Sequence, residues 1–319
     1  SVFARIPSEV AEKDKHKERL VVDVGNLTSG SREHELLKLR YLMEGMRAIG
    51  YDAVNLGRRE ASLDRDTLLG IVEKSGLPFV SCNVRNKQNG GALAQEYRIV
   101  DRAGLRIGIT GFAEVAEDEE GPGIAVRPAL EALAELIPTL KSRCDFLVVL
   151  GYAPQSTLNA VASRFHEIDC LLGGDVPQSS NSAETVNRAL CFNVTEKGKV
   201  LGRIALRRSG DGLALADARA IKVADTIAPA RQMTALLDRY RTELRERNVE
   251  FASEEGLDPI ERAEMTADKY TGQAACAPCH ATAHKVGRSS GHAHAFETLV
   301  RVKSEYDPEC LRCHTVGYG

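Results

Sequence analysis

The chain has 319 residues, a formal net charge of -3, 43% hydrophobic and 27% charged residues. That length suits two domains, and that composition a soluble globular protein. The near balance of charge gives no bulk electrostatic reason to expect nucleic acid as a partner. Apolar runs such as "DFLVVLGY" are too short to span a bilayer, so no transmembrane segment is expected, and "SVFARIPSEV" shows no signal peptide.

The opening "EVAEKDKHKER" reads as the solvated face of a helix. "RLVVDVG" is a short β-branched run that predicts a buried strand. "EHELLKLRYLMEGMRAIG" places Leu36, Leu39, Leu42, Met43 and Met46 at helical spacing, with Gly50 as the stop. "YDAVNLG" predicts a strand, "DRDTLLGIVEKSG" a helix, "PFVSCNV" and "LRIGITGF" strands. "ALEALAELIPTLKSR" predicts a helix despite Pro138, followed by the strand "DFLVVLGY", the helix "QSTLNAVASRF" and the strand "IDCLLGGD". Further β-rich segments follow, with "EKGK" and "SGDG" suited to hairpin turns. Such alternation predicts an α/β layered domain over 1–222. A helix over 226–250 carries the stripe Met233, Leu236, Leu237, Tyr240 and Leu244, and a polar connector completes the stretch 223–268.

From 269 to 319 the composition shifts to Cys, His, Gly and Ala. A segment this small and poor in branched aliphatics cannot fill a core alone. It contains "CAPCH" (Cys276, Cys279, His280) and "CLRCH" (Cys310, Cys313, His314). C-x-x-C-H is the spacing of c-type haem attachment: two thiols hold the porphyrin and the histidine ligates iron. A zinc ribbon is the competing reading. It is disfavoured because 30 residues separate the two pairs, against roughly 15–20 in zinc ribbons, and because zinc leaves the paired histidines unexplained. His284, His292 and His294 are the candidate distal ligands, and bis-histidine ligation is expected. Of the methionines only Met265 is near. Two c-type haems are thus the expected cofactors. The remaining cysteines, Cys82, Cys144, Cys170 and Cys191, have no motif spacing and read as small buried side chains, with a disulfide among them as the alternative that sequence alone does not assign.

The last 50 or so residues, with "SSGHAHAF" and "CLRCHTVGYG", resemble multihaem c-type cytochromes of the nitrifier tetrahaem type. The resemblance favours His292 as distal ligand over His284 and His294. It implies a small, mostly irregular or helical dihaem segment. The usual tryptophan of that family is absent, as the chain has none.

Residues 1–222 resemble a 5′-nucleotidase-type metallophosphoesterase domain. The resemblance rests on "VVDVGNLTSGS", "GYDAVNLGRREASL", "SCNV", "DFLVVLGYAP", "IDCLLGGDVPQ" and "EKGKVLGRIAL". It implies a layered sandwich of mixed sheets flanked by helices, and a pair of metals that activate water at phosphate esters. At the positions of the family's metal ligands stand Asn26, Arg58, Arg59, Tyr152, Asp175 and Pro177. The family's first metal-binding strand has no counterpart after Ser1. A guanidinium is permanently charged and cannot ligate a cation. The expectation is a degenerate site, with Arg58 and Arg59 paired to Glu60 or Asp23, or free to take a phosphate or carboxylate.

Together these readings predict an extracytoplasmic electron carrier, periplasmic or extracellular, with no catalytic residues. The phosphoesterase-like domain would be its scaffold, and other redox proteins or haem-bearing subunits its partners, with a homo-oligomer or filament as one arrangement. The alternatives are a haem redox enzyme acting on a small nitrogen or sulfur compound at an open axial position, and a nucleotide-binding module coupled to a redox sensor.

Overall fold

The computed structural model describes residues 19–195, 198–209, 212–224, 226–254 and 273–315. The connector around 255–272, with Met265, lies outside the described residues, as does the opening helix expected before residue 19. The chain divides into two compact units, 1–235 and 236–319.

In the first unit the apolar runs become parallel strands. β1 (Val22–Asp23), β2 (Ala53–Asn55) and β3 (Phe79–Val80) form one parallel sheet in that order. Between β1 and β2 runs α1 (Glu33–Ile49). Its apolar stripe buries Leu39, Met43 and Met46, and it ends where Gly50 turns left-handed at φ 82°. That conformation is sterically cheap only for glycine, so the helix stops there. After β2 come α2 (Arg58–Ala61) and α3 (Arg65–Lys74), the latter capped by the Asp64 carboxylate, which accepts the N–H groups of Asp66 and Thr67.

A second sheet has six strands. β4 (Val84–Asn86) and β7 (Ile124–Val126) pair with each other apart from it. The six are β5 (Tyr97–Arg102), β6 (Leu105–Ala113), β8 (Phe146–Tyr152), β9 (Cys170–Gly174), β10 (Glu184–Val186) and β11 (Ala189–Asn193), in the order β10-β11-β9-β8-β6-β5. β6, β8, β9 and β11 are mutually parallel, and antiparallel β5 and β10 close the edges. Every residue of β8 is buried, as its unbroken apolar run requires of a strand covered on both faces. The covering helices are α4 (Ala129–Lys141), which keeps Pro138 in its interior, and α5 (Gln155–Arg164). β12 (Val200–Ser209) and β13 (Gly212–Lys222) form an antiparallel ribbon. The expected turns "EKGK" and "SGDG" include residues 196–197 and 210–211, which lie outside the described residues.

Three apolar clusters fill the layers. One packs α1 and α3 on the small sheet, and one packs α4 and α5 on the large sheet. The third, with Ala53, Val80, Ile109, Val148 and Leu150, lies between the sheets. Each fully buried Leu, Ile or Phe contributes roughly 1.5–3 kcal/mol, so these layers, not the polar mouth described below, hold the unit together. The fold is mixed α/β with sheets flanked by helices.

The second unit contains most of α6 (Arg231–Glu254), whose stripe buries Leu236 and Leu244. Its other described elements are short: α7 (Gln273–Cys276), α8 (Ala281–Ser289), a 3-10 turn (Gly291–His294), α9 (Ala295–Arg301) and α10 (Pro308–His314). Leu299, Pro308 and Leu311 are buried. No helix among the described residues is long and apolar enough to cross a membrane.

Candidate functional site

Parallel strands deliver their carboxyl ends to one edge, where α/β folds place their sites. Here that edge gathers Asn26 just after β1, Arg58 and Arg59 just after β2, Tyr152 at the end of β8 and Asp175 just after β9. Two of these are non-glycine residues with left-handed backbone, Asn26 at φ 69° and Asp175 at φ 62°. Strained backbone of this kind persists where the surroundings over-determine it.

Glu60 supplies one such constraint. Its carboxylate is buried and accepts four backbone N–H groups: Asn26 at 2.8 Å, Leu27 at 2.7 Å, Thr28 at 3.0 Å and Gly57 at 2.8 Å. The loop after β1 is thereby wrapped on the start of α2. The two backbones touch so closely that a Cβ on Gly25 would lie 2.5 Å from the Gly57 nitrogen. Asn26 adds a return bond, its Oδ1 accepting the Arg59 N–H at 3.0 Å. Beneath them, buried Asn55 donates through Nδ2 to the carbonyls of Val24 and Phe112, tying the two sheets. Glu60 and Asn55 were not singled out as functional from sequence. The retained "G-x-x-E" after a strand was the available signal.

The arginines differ from each other. Arg58 donates from Nη2 to the Asp175 carboxylate, and its Nε lies 3.9 Å from Glu119 Oε2. Its guanidinium carbon stands 5.9 Å from the ring centroid of Tyr152, a cation–π distance. The expected partners Glu60 and Asp23 are thus corrected to Asp175 and Glu119, because Glu60 is spent on backbone donors. The side chain of Arg59 is exposed and makes no ion pair or hydrogen bond among the described residues. Asp23, near the floor, is pushed up to about 6, mainly by burial and further by nearby Glu60, against the Gly25 N–H that it accepts at 2.8 Å.

The metals implied by the fold do not fit this constellation. The family's ligand positions hold two guanidiniums, a phenol and a proline, together with Asn26 and Asp175. The single well-placed carboxylate, Asp175, is engaged by Arg58. Among the described residues no group of three or more His, Cys, Asp or Glu side chains could hold a metal ion.

In the second unit the motif residues are spread along short helices. Cys276 ends α7, Cys279 follows in a turn, and His280 caps α8, one turn before His284. His292 and His294 lie in the 3-10 turn, with His294 Nδ1 3.1 Å from Glu297 Oε2. Cys310, Cys313 and His314 lie on α10, and His314 Nδ1 is 2.8 Å from the Ala295 carbonyl. Cys276, Cys279 and Cys313 are exposed, and Cys310 is half-buried.

No protein-family model matches the chain. The chain is 30% identical over 129 residues to a 5′-nucleotidase of Vibrio cholerae, covering 39% of this chain and 23% of that protein. It is 25% identical over 183 residues to the snake venom 5′-nucleotidase of Crotalus adamanteus, covering 54% of this chain and 31% of that one. The N-terminal region resembles the 5′-nucleotidase-type metallophosphoesterases. The fold agrees: the 5′-nucleotidase precursor of Thermus thermophilus superposes with a TM-score of 0.64 at 20% identity, over 77% of this chain and 54% of that one. The chain spans less than a third of the length of the two curated relatives.

These likenesses correct three expectations. The relatives and the solved neighbour are named as nucleotidases, which overturns the expected electron carrier. They are enzymes, so the expectation of a non-enzymatic carrier does not stand. The resemblance implies divalent metal as the cofactor class, in place of the two covalently bound haems expected from the C-x-x-C-H motifs.

Proposed function

We propose that the N-terminal unit recognises phosphate esters of the nucleotide class at the carboxyl edge of its strands, with Arg59 as the anion anchor. One observation carries this reading. Arg59 presents an exposed, unengaged guanidinium at the carboxyl edge of the strands, where open α/β sheets bind their ligands. A guanidinium fork matches phosphate oxygens in geometry and charge. Arg58, whose Nη2 is already engaged by Asp175, fixes the local positive charge. Since the residues present do not fit a metal pair, no hydrolytic step is derived from them.

An extracytoplasmic location belongs to the same proposal, and is supported by the venom origin of one relative. The test is calorimetry of the full chain with a nucleoside monophosphate and with inorganic phosphate, alongside an assay for phosphate release. Saturable binding that Arg59→Met weakens supports the reading. No heat from either ligand, or binding indifferent to Arg59→Met, overturns it.

A further inference from the structure

At the carboxyl edge the two sheets meet above the Asn55 tie and the apolar layer between them, and one further polar contact spans that edge. Here Arg58 follows β2 of the three-stranded sheet, and Asp175 follows β9 of the six-stranded sheet. Their side chains meet across the edge in a direct guanidinium–carboxylate contact. Tyr152, buried at the end of β8, lies at cation–π distance from the same guanidinium. Glu119, on the 3-10 turn Glu117–Glu119, approaches from another side.

We infer that the Arg58–Asp175 ion pair, set against Tyr152, replaces divalent metal as the link between the two sheets and makes this edge metal-independent. The charges favour it. A divalent cation entering here would meet the fixed positive charge of Arg58 and Arg59 and would have to take Asp175 from its partner. The left-handed backbone of Asp175 fits the same role, since it aims a short carboxylate across the edge where a longer strand would carry it past. The inference stands apart from the proposed phosphate-ester recognition, because the link exists with or without a ligand on Arg59.

The test uses the full chain and four proteins: wild type, Asp175→Asn, Arg58→Met and the double variant. Asparagine tolerates the left-handed region, so Asp175→Asn removes charge without disturbing backbone. Urea unfolding is recorded with EDTA and with Mn2+, a hard cation that favours oxygen ligands over thiolates. Mn2+ binding is read independently from the loss of its free-ion EPR signal. The expected result is a wild-type midpoint unchanged by EDTA or Mn2+, both single variants lowered, and a double variant lowered by less than the sum. A wild-type midpoint raised by Mn2+, or stoichiometric Mn2+ binding that Asp175→Asn abolishes, overturns the inference, as does strict additivity. If Arg58→Met does not fold, Arg58→Lys serves in its place: it keeps the charge but not the fork, and wild-type stability with it would equally count against the fork-and-carboxylate link. Calorimetry with nucleotide plays no part in these outcomes, so the two proposals fail separately.

Discussion

Glu60 and Asn26 hold each other reciprocally: the Glu60 carboxylate accepts the Asn26 N–H at 2.8 Å, and the Asn26 side chain accepts the N–H of Arg59, next to Glu60, at 3.0 Å. With the Leu27, Thr28 and Gly57 donors included, one buried carboxylate organises the whole loop that presents Arg58 and Arg59. Glu60→Gln puts an amide NH2 among backbone donors, which leaves N–H groups facing N–H groups. Hydrogen bonds to a charged acceptor are the costly ones to lose, so the variant should lose on the order of 3 kcal/mol. Urea unfolding of wild type and variant measures it, and a loss well under half of that would mean the loop holds itself.

Arg59 should behave in the opposite way. Its side chain is exposed and unengaged, and surface substitutions of that kind change stability by about 0.5 kcal/mol or less. Arg59→Met should therefore unfold like wild type while losing about tenfold or more in affinity for a nucleoside monophosphate. A variant that binds normally, or one that is markedly unstable, contradicts the anchor role.

The layered fold was legible because its cause is local. Short unbroken apolar runs rich in β-branched residues, such as "DFLVVLGY", suit strands covered on both faces, and the stripe of α1 ends at Gly50 for steric reasons. Strand β5 and the β4–β7 pair were not legible: Arg98, Asp101, Arg85 and Asn86 break the apolar pattern, so β5 forms only by folding back on its neighbour β6 and β4 only by meeting the sequence-distant β7. That guanidiniums and a proline, Arg58, Arg59 and Pro177, make no cation ligands was readable residue by residue. The Arg58–Asp175 link was not, because the two residues lie 117 positions apart and only the fold brings them together. At the chain's other end, the C-x-x-C-H spacing suggested a cofactor and a function that the likeness to nucleotidases does not support. A local motif carries its chemistry only as far as its surroundings agree.

Asp23 gives the edge a pH signature. Its carboxyl is raised from an ordinary 3.8 to about 6 by burial first, with Glu60 adding to the rise and the Gly25 N–H opposing it. The folded chain therefore binds this proton more tightly than the unfolded chain does. The resulting stability is present in full below about pH 4 and is lost as pH rises through about 6. Asp23→Asn keeps an acceptor for Gly25 but removes the titration. The difference in unfolding free energy between wild type and Asp23→Asn should shift against wild type from pH 4 to pH 7. A difference constant with pH would place the titration elsewhere.

Gly111 tests the tie beneath the edge. A Cβ there would lie 2.1 Å from Asn55 Oδ1. Asn55 cannot swing away without giving up its bonds to the Val24 and Phe112 carbonyls, at 3.0 and 2.9 Å. Gly111→Ala should cost about 1–3 kcal/mol, as overpacking does. Removing the obstacle as well, in Gly111→Ala with Asn55→Ala, should cost less than the two single changes added. Additive costs would show that the methyl group meets something other than Asn55.

The four cysteines of the first unit should prove to be unpaired packing residues. Burial raises the thiols of Cys82 and Cys170 to about 12, and also raises those of Cys144 and Cys191. The thiolate is the reactive form, so Cys82 and Cys170 should resist alkylation in the native chain. Pairing of Cys170 with Cys191 is excluded by register. Cys170 lies opposite Leu190, and Cys191 opposite Leu171, on neighbouring parallel strands. Adjacent residues of a strand face opposite sides of the sheet, so Cys170 joins the cluster between the sheets while Cys191 packs on the helical side. Alkylation with iodoacetamide at pH 8, followed by peptide mass spectrometry, should leave Cys82 and Cys170 unmodified. Alkylation after denaturation without reductant should label all four, and a disulfide-linked peptide among them would refute the assignment.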